Sequence, residues 1–165
     1  MYTAEYWIQH LKLKPHPEGG FFKEIYRSGT EINKENLPIG FNSSRRLTTS
    51  IYYLLRSGDI SKMHRLKSDE LWYYHSGSAL RIYCIDHEGK KHTRLLGSNF
   101  EKTEHYCELI PAGNIFAAEV VDSSGYSLVS CVVSPGFEYQ DFELFEKEDL
   151  IQAYPKHLDL FEKFC

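Results

Sequence analysis

From Leu47 to Ser134 the sequence runs as a succession of short apolar, β-branched segments, each closed by Gly, Pro, Asn or Ser. TTSIYYLL ends at the turn Ser57-Gly58-Asp59, ELWYYHS ends at Gly77, and SALRIYCID runs into His87-Glu88-Gly89, a hairpin signal. HTRLLGS, HYCELIPAG, NIFAAEVVD and YSLVSCVVS complete the series. About eight or nine short strands at this spacing predict an all-β sandwich or barrel. The aromatic content, 15% with 12 Tyr and 10 Phe, suits strands whose large side chains line the sheets.

The flanks read differently. Residues 3 to 13 carry Tyr6, Trp7, His10, Leu11 and Leu13 as a helical stripe, with Thr3 as its cap and Pro15 and Pro17 as its stop. The segment PHPEGG then delivers the chain into GFFKEIYRS, an alternating strand. Residues 29 to 46 are polar, contain Pro38 and Gly40, and read as a long loop on the surface or over a site mouth. The tail turns helical from Glu146 to Phe164 and breaks near Pro155. The expected organisation is one domain of 165 residues: an N-terminal helix in 1–14, a β-barrel in 19–145 and a helical tail in 146–164.

Charge and cysteine usage exclude several functions. The net charge is −4 and the basic residues are scattered, so no nucleic-acid partner is expected. No apolar stretch approaches the roughly eighteen residues of a membrane span. The N-terminus lacks the basic start and apolar run of a secretory signal, and the expected location is the cytoplasm. Cys84, Cys107, Cys131 and Cys165 form no C-x-x-C pair and read as reduced thiols, three of them in apolar strand-like segments.

The chemistry-bearing stretch is GDISKMHRLKSDELWYYHSG, Gly58 to Gly77. It keeps four of the five fixed positions of the pattern G-x5-H-x-H-x3-E-x6-G: Gly58, His64, Glu70 and Gly77, with Leu66 where a second histidine belongs. Strand alternation puts Glu70, Trp72 and Tyr74 on one face, and His64 with Leu66 on one face of the preceding strand. A second segment, IPAGNIF, keeps Pro111 and Gly113 of P-x-G-x2-H and has Phe116 at the histidine position. Leu66 and Phe116 donate no lone pair, so two of four ligands are lost where a catalytic metal generally needs three from the protein. The expectation is no metal and no cofactor, and a dry pocket that raises the pKa of Glu70 and lowers that of His64 unless the two pair. The candidate catalytic residues are His64, Glu70 and Tyr74, and the candidate ligand-binding residues are Trp72, Leu66 and Phe116.

With these residues in place, the chain resembles the DUF985, or Cupin_5, branch of the cupin superfamily. The resemblance spans nearly the whole length. It is carried by LKPHPEGGFFKEIYRS from Leu13, HRLKSDELWYYHSG from His64, IPAGNIFAAE from Ile110 and VSPGFEYQDFEL from Val133. It implies a double-stranded β-helix, or jelly roll, assembled as a homodimer, and an analogy to metal-independent sugar-nucleotide epimerases and to seed-storage cupins. That epimerase type works with a His-Asp dyad and a tyrosine, which His64, Glu70 and Tyr74 do not match residue for residue. Two readings follow. One is an isomerase, epimerase or lyase acting on a sugar-like or other small polar metabolite, with His64 as base, Glu70 as its orienting or acid partner, Tyr74 as proton donor and Trp72 as a stacking platform. The other is a non-catalytic module that binds or senses a small ligand; cupins host both.

Overall fold

A computed structural model describes residues 2–165. Helix α1 (Ala4–Leu11) is followed by β1 (Lys14–Pro15), β2 (Phe21–Arg27), β3 (Glu31–Ile32), β4 (Arg45–Arg46), β5 (Thr49–Arg56), β6 (Ile60–Leu66) and β7 (Asp69–Gly77). Then come β8 (Leu80–Ile85), β9 (Lys91–Leu96), β10 (Cys107–Ile110), β11 (Ile115–Val120), β12 (Tyr126–Ser134), β13 (Phe142–Leu144), α2 (Lys147–Ala153) and α3 (Leu158–Phe164). One antiparallel sheet has the order β1-β2-β5-β12-β7-β10 and the other β13-β6-β11-β8-β9. The chain order jumps between sheets at most turns, which is the jelly-roll arrangement the strand series predicts.

The inner faces meet in a core that includes Tyr53, Leu55, Trp72, Ile82, Phe116, Ala118, Val129 and Cys131. The outer face of the five-stranded sheet is covered by the tail. Leu150 of α2 and Leu160, Phe161 and Phe164 of α3 pack on Met63, Ile85, Ile115 and Ala117. Thr3 caps α1 by accepting the Tyr6 N–H, and the helix lies on the outer face of the six-stranded sheet against Leu54, Tyr126 and Leu128. Trp7 Nε1–H donates to the Tyr126 hydroxyl at 2.8 Å.

Two bulges set the parity of the site-forming strands. In β6, Ser61 pairs with Ala118 and His64 with Phe116, which leaves two residues, Lys62 and Met63, against Ala117 alone on β11. Ser61, His64 and Leu66 therefore face inward while Met63 joins the outer, tail-covered cluster. In β2 the register shifts between Glu24 and Tyr26, so Phe22, Glu24 and Arg27 all lie opposite inward positions of β5. The connection between β2 and β5 is tied down by Arg45, whose buried guanidinium forks onto both oxygens of Asp141, with Nη2 to Oδ1 at 2.8 Å. Its Nη1 also donates to the carbonyls of Ser43 and Ser44. The pair leaves neither buried charge uncompensated and holds the Phe137–Asp141 turn against one end of the barrel.

Candidate functional site

At that end lies an internal cavity of about 110 Å³. A bound water needs only about 10–15 Å³ on this scale, so a small organic molecule fits. β2, β5, β6, β7, β12 and the Phe137–Phe142 segment all contribute to its lining, as does the PHPEGG segment ahead of β2.

That segment enters the barrel because of its two glycines. Gly19 (φ +114°) and Gly20 (φ +66°) take conformations that side chains disfavour. A Cβ on Gly19 would collide with the Ile60 carbonyl oxygen, and one on Gly20 would crowd the Leu54 carbonyl. The backbone thus wedges between β5 and β6, fixed by Lys62 N–H donating to the Glu18 carbonyl (2.8 Å) and Tyr53 OH donating to the Gly19 carbonyl (2.8 Å). His16 and Glu18 are carried inside with it.

Glu18 is the partner of His64. Its Oε2 lies 3.2 Å from His64 Nε2, and its Oε1 accepts the Ser61 hydroxyl at 3.0 Å. His64 Nδ1 lies 2.6 Å from the Lys62 carbonyl inside the β6 bulge. A carbonyl can only accept, so Nδ1 carries a proton, and Nε2 faces the Glu18 carboxylate at ion-pair distance. Phe116 lies against the imidazole, 4.0 Å between ring centroids, and Phe142 flanks it at 5.4 Å. Burial pushes the His16 imidazole below its ordinary range; Glu18 opposes that shift and His64 reinforces it. His16 Nδ1 accepts the Glu18 N–H at 3.3 Å, which suits the neutral ring.

Glu70 is 6% exposed, and its Oε2 has no hydrogen-bond partner among the described residues. Burial, and next the Glu18 carboxylate, push its pKa up to about 8, against smaller opposing effects of Trp72 and Cys131. It is therefore a carboxylic acid at neutral pH, as the dry pocket predicted. Cys131 beside it is held well above the thiol range by burial and by the neighbouring Glu70 and Glu18.

His64, Glu70 and Leu66 thus meet in one cavity, as expected. Three expectations are corrected. Glu70 does not orient His64, because Lys62 and Glu18 occupy both ring nitrogens. Tyr74 shares the Glu70 face but lies four residues on, about 13 Å along the strand. Its hydroxyl donates to the Gly77 carbonyl at 2.6 Å, away from the cavity lining. Trp72 and Phe116 are 1% exposed and pack edge-on to each other at 6.2 Å; they back the wall and do not line it. The sequence reading passed over Glu18 and His16, although PHPEGG, a glutamate followed by two glycines, carried the signal.

The residues do not fit the metal centre of the cupin pattern. Leu66 and Phe116 stand at two ligand positions, and both His64 nitrogens are engaged. Among the described residues no three His, Cys, Asp or Glu side chains are grouped to hold an ion.

Comparison with known proteins agrees with this architecture. The family Cupin_5, of the cupin superfamily (DUF985), matches residues 5–145. The chain belongs to this family. A protein of known structure from Shewanella oneidensis is 43% identical to this cupin, with a TM-score of 0.89 over 99% of this chain and 98% of that one. A hypothetical protein from Leishmania major is 37% identical, with a TM-score of 0.90 over 99% of both chains. The uncharacterized protein YML079W of Saccharomyces cerevisiae is 27% identical over 92% of this chain and 77% of its own length. Among the described residues of this cupin, no helix is long and apolar enough to cross a membrane.

Proposed function

We propose that this cupin is a metal-independent acid–base enzyme of isomerase, epimerase or lyase type, acting on a small polar molecule held in the cavity. The observation that supports this reading is the pairing, in one small enclosed space, of a His64–Glu18 dyad at ion-pair distance with a protonated Glu70 whose Oε2 has no hydrogen-bond partner among the described residues. Two titratable centres held in opposite protonation roles are what proton transfer to and from carbon requires. The dyad accepts the proton of a carbon acid at His64 Nε2, and the imidazolium that forms is stabilised by the Glu18 carboxylate and the Lys62 carbonyl. Glu70 delivers its proton to the developing anion, and solvent resets both groups after release. Positioning is part of the design: Nδ1 tied to Lys62 fixes the imidazole plane, and Phe116 and Phe142 prevent its rotation.

The test is exchange of substrate C–H for deuterium in D₂O across a panel of sugars, keto acids and amino compounds, followed by NMR. Wild-type protein is expected to wash deuterium into one compound class. His64→Ala and Glu18→Gln should each lower that rate by about 10²-fold to 10⁴-fold, and Glu70→Gln by a similar factor for the protonation step. A ligand that binds in the cavity without exchange, or exchange indifferent to all three variants, sinks the catalytic reading and leaves a binding module.

A further inference from the structure

The mouth of the cavity carries a charge pattern that the acid–base dyad does not explain. Glu24 and Arg27 reach it from β2 because the bulge between them restores the inward parity of Arg27. Glu138 reaches it from the opposite side, next to Phe137 and Tyr139. Arg27 is the one arginine or lysine among the described residues lining the cavity, and each of its three side-chain nitrogens already donates to a carboxylate. Nε and Nη2 contact the Glu24 carboxylate, Nη2 to Oε2 at 2.8 Å, and Nη1 donates to Glu138 Oε1 at 2.8 Å. Two carboxylates against one guanidinium leave one net negative charge at the mouth. Deeper in, any positive charge on His64 is matched by the Glu18 carboxylate 3.2 Å away, and His16 and Glu70 are uncharged at neutral pH. No positive charge is left over for an anion.

The walls are aromatic. Phe137 meets Tyr139 edge-to-face at 5.1 Å and Phe142 at 6.2 Å, and Tyr139 meets Phe142 at 6.5 Å. Phe22 closes the opposite side, packed edge-on against His16 at 4.5 Å. Aromatic faces around an opening rimmed with carboxylates attract a desolvated cation, through the ring quadrupoles and the net charge together. An independent feature also points to a ligand: the buried Glu70 carboxyl, with an unpartnered oxygen, lines the same cavity.

We propose that the cavity takes a small organic cation, an amine or alkylammonium of metabolite size, and rejects phosphorylated and carboxylated molecules. This inference rests on the reading that the small molecule is handled in this cavity, and it narrows that molecule's class. A phosphate at the mouth could take a bidentate grip on Arg27 only by displacing a carboxylate from it, and would then face Glu24 and Glu138 less well screened. An ammonium group needs no such rearrangement: it meets the aromatic faces and the free lone pairs of Glu24 and Glu138. The diphosphate of a sugar nucleotide is excluded on the same ground, so the epimerase analogy extends to the acid–base chemistry and not to the substrate.

The experiment is a ligand-observed NMR screen of the full-length protein against a fragment set in which each carbon skeleton occurs as amine, alcohol, carboxylate and phosphate monoester. Amines are expected to bind about fivefold to thirtyfold more tightly than the matching alcohols, and the anions not at all. Glu138→Gln should weaken the amines several-fold, and Arg27→Gln should strengthen them, because each changes the mouth by one charge in a known direction. Tight binding of phosphates or carboxylates, amines no better than alcohols, or no binder anywhere in the set would overturn the proposal. The two readings fail separately. Amines that bind without D₂O exchange remove the catalytic reading and keep this one. Exchange on neutral or anionic skeletons that depends on His64 and Glu70 does the reverse.

Discussion

At the level of single residues, His64 and Glu70 were legible because a fixed spacing between glycines locates them whatever the surroundings. Which side chain pairs with which was not legible, because an ion-pair partner forty-six positions away leaves no local trace. Trp72 and Phe116 illustrate the same gap: alternation gives the face, but the depth at which a cavity ends depends on what fills the barrel beyond it. The protonation of Glu70 has a consequence for stability. Its pKa of about 8 in the fold lies above the ordinary carboxylate value of an unfolded chain. Between those two pH values the folded state holds a proton that the unfolded state has released, so stability falls as pH rises through that window. The contribution is fully present below the unfolded pKa and lost above the folded one, on the order of a few kcal/mol across the range. Glu70→Gln removes this dependence. Urea melts from pH 4 to 9 should show a shallower fall for the variant, with the variant the more stable of the two at pH 9. Parallel wild-type and variant profiles would show that Glu70 is ionised in the fold at neutral pH.

At the level of elements, strand order and the terminal helices followed from periodicity and punctuation, while the two bulges did not. A bulge inserts one residue whose identity carries no marker, yet it reverses the parity of everything beyond it. Arg27 faces the cavity only because of the one in β2, and His64 shares an inward face with Ser61 only because of the one in β6. The PHPEGG segment is the third such element. Its sequence suggests a connector, and its glycines serve instead to let backbone pass between two strands. Gly19→Ala tests this directly. The added Cβ meets main-chain carbonyl, which cannot swing away, at a positive φ that alanine disfavours. A loss on the order of 3 kcal/mol or more is expected, against a small effect for Gly29→Ala, where a Cβ meets open space. Similar melting temperatures for the two variants would mean that the segment is not wedged between β5 and β6.

At the level of the whole molecule, the barrel leaves one face unfinished. The tail covers the five-stranded sheet, but α1 covers only part of the six-stranded one. Cross-strand rows run over the open part: Leu109 beside Leu71 and Val132, and Cys107 beside Tyr73, Ser130 and Tyr52. Tyr73 and Leu109 are exposed there, and the sheet ends on β10, a strand of four residues. Paired apolar side chains across three strands form a continuous surface, unlike the scattered single hydrophobics that any soluble protein shows. We propose that a second copy of the chain covers it, in a homodimer related by a two-fold axis, where the same patch meets itself and each short edge is shielded. Light scattering at micromolar concentration should then give twice the monomer mass of 19.3 kDa. The double variant Tyr73→Lys and Leu109→Lys places like charges opposite each other across that axis and should yield monomer. Because both side chains point away from the barrel interior, the variant is expected to keep its melting transition at high protein dilution, where the wild type also dissociates. A monomeric wild type, or a dimer indifferent to both lysines, would assign the exposed rows to some other role and detach assembly from this face.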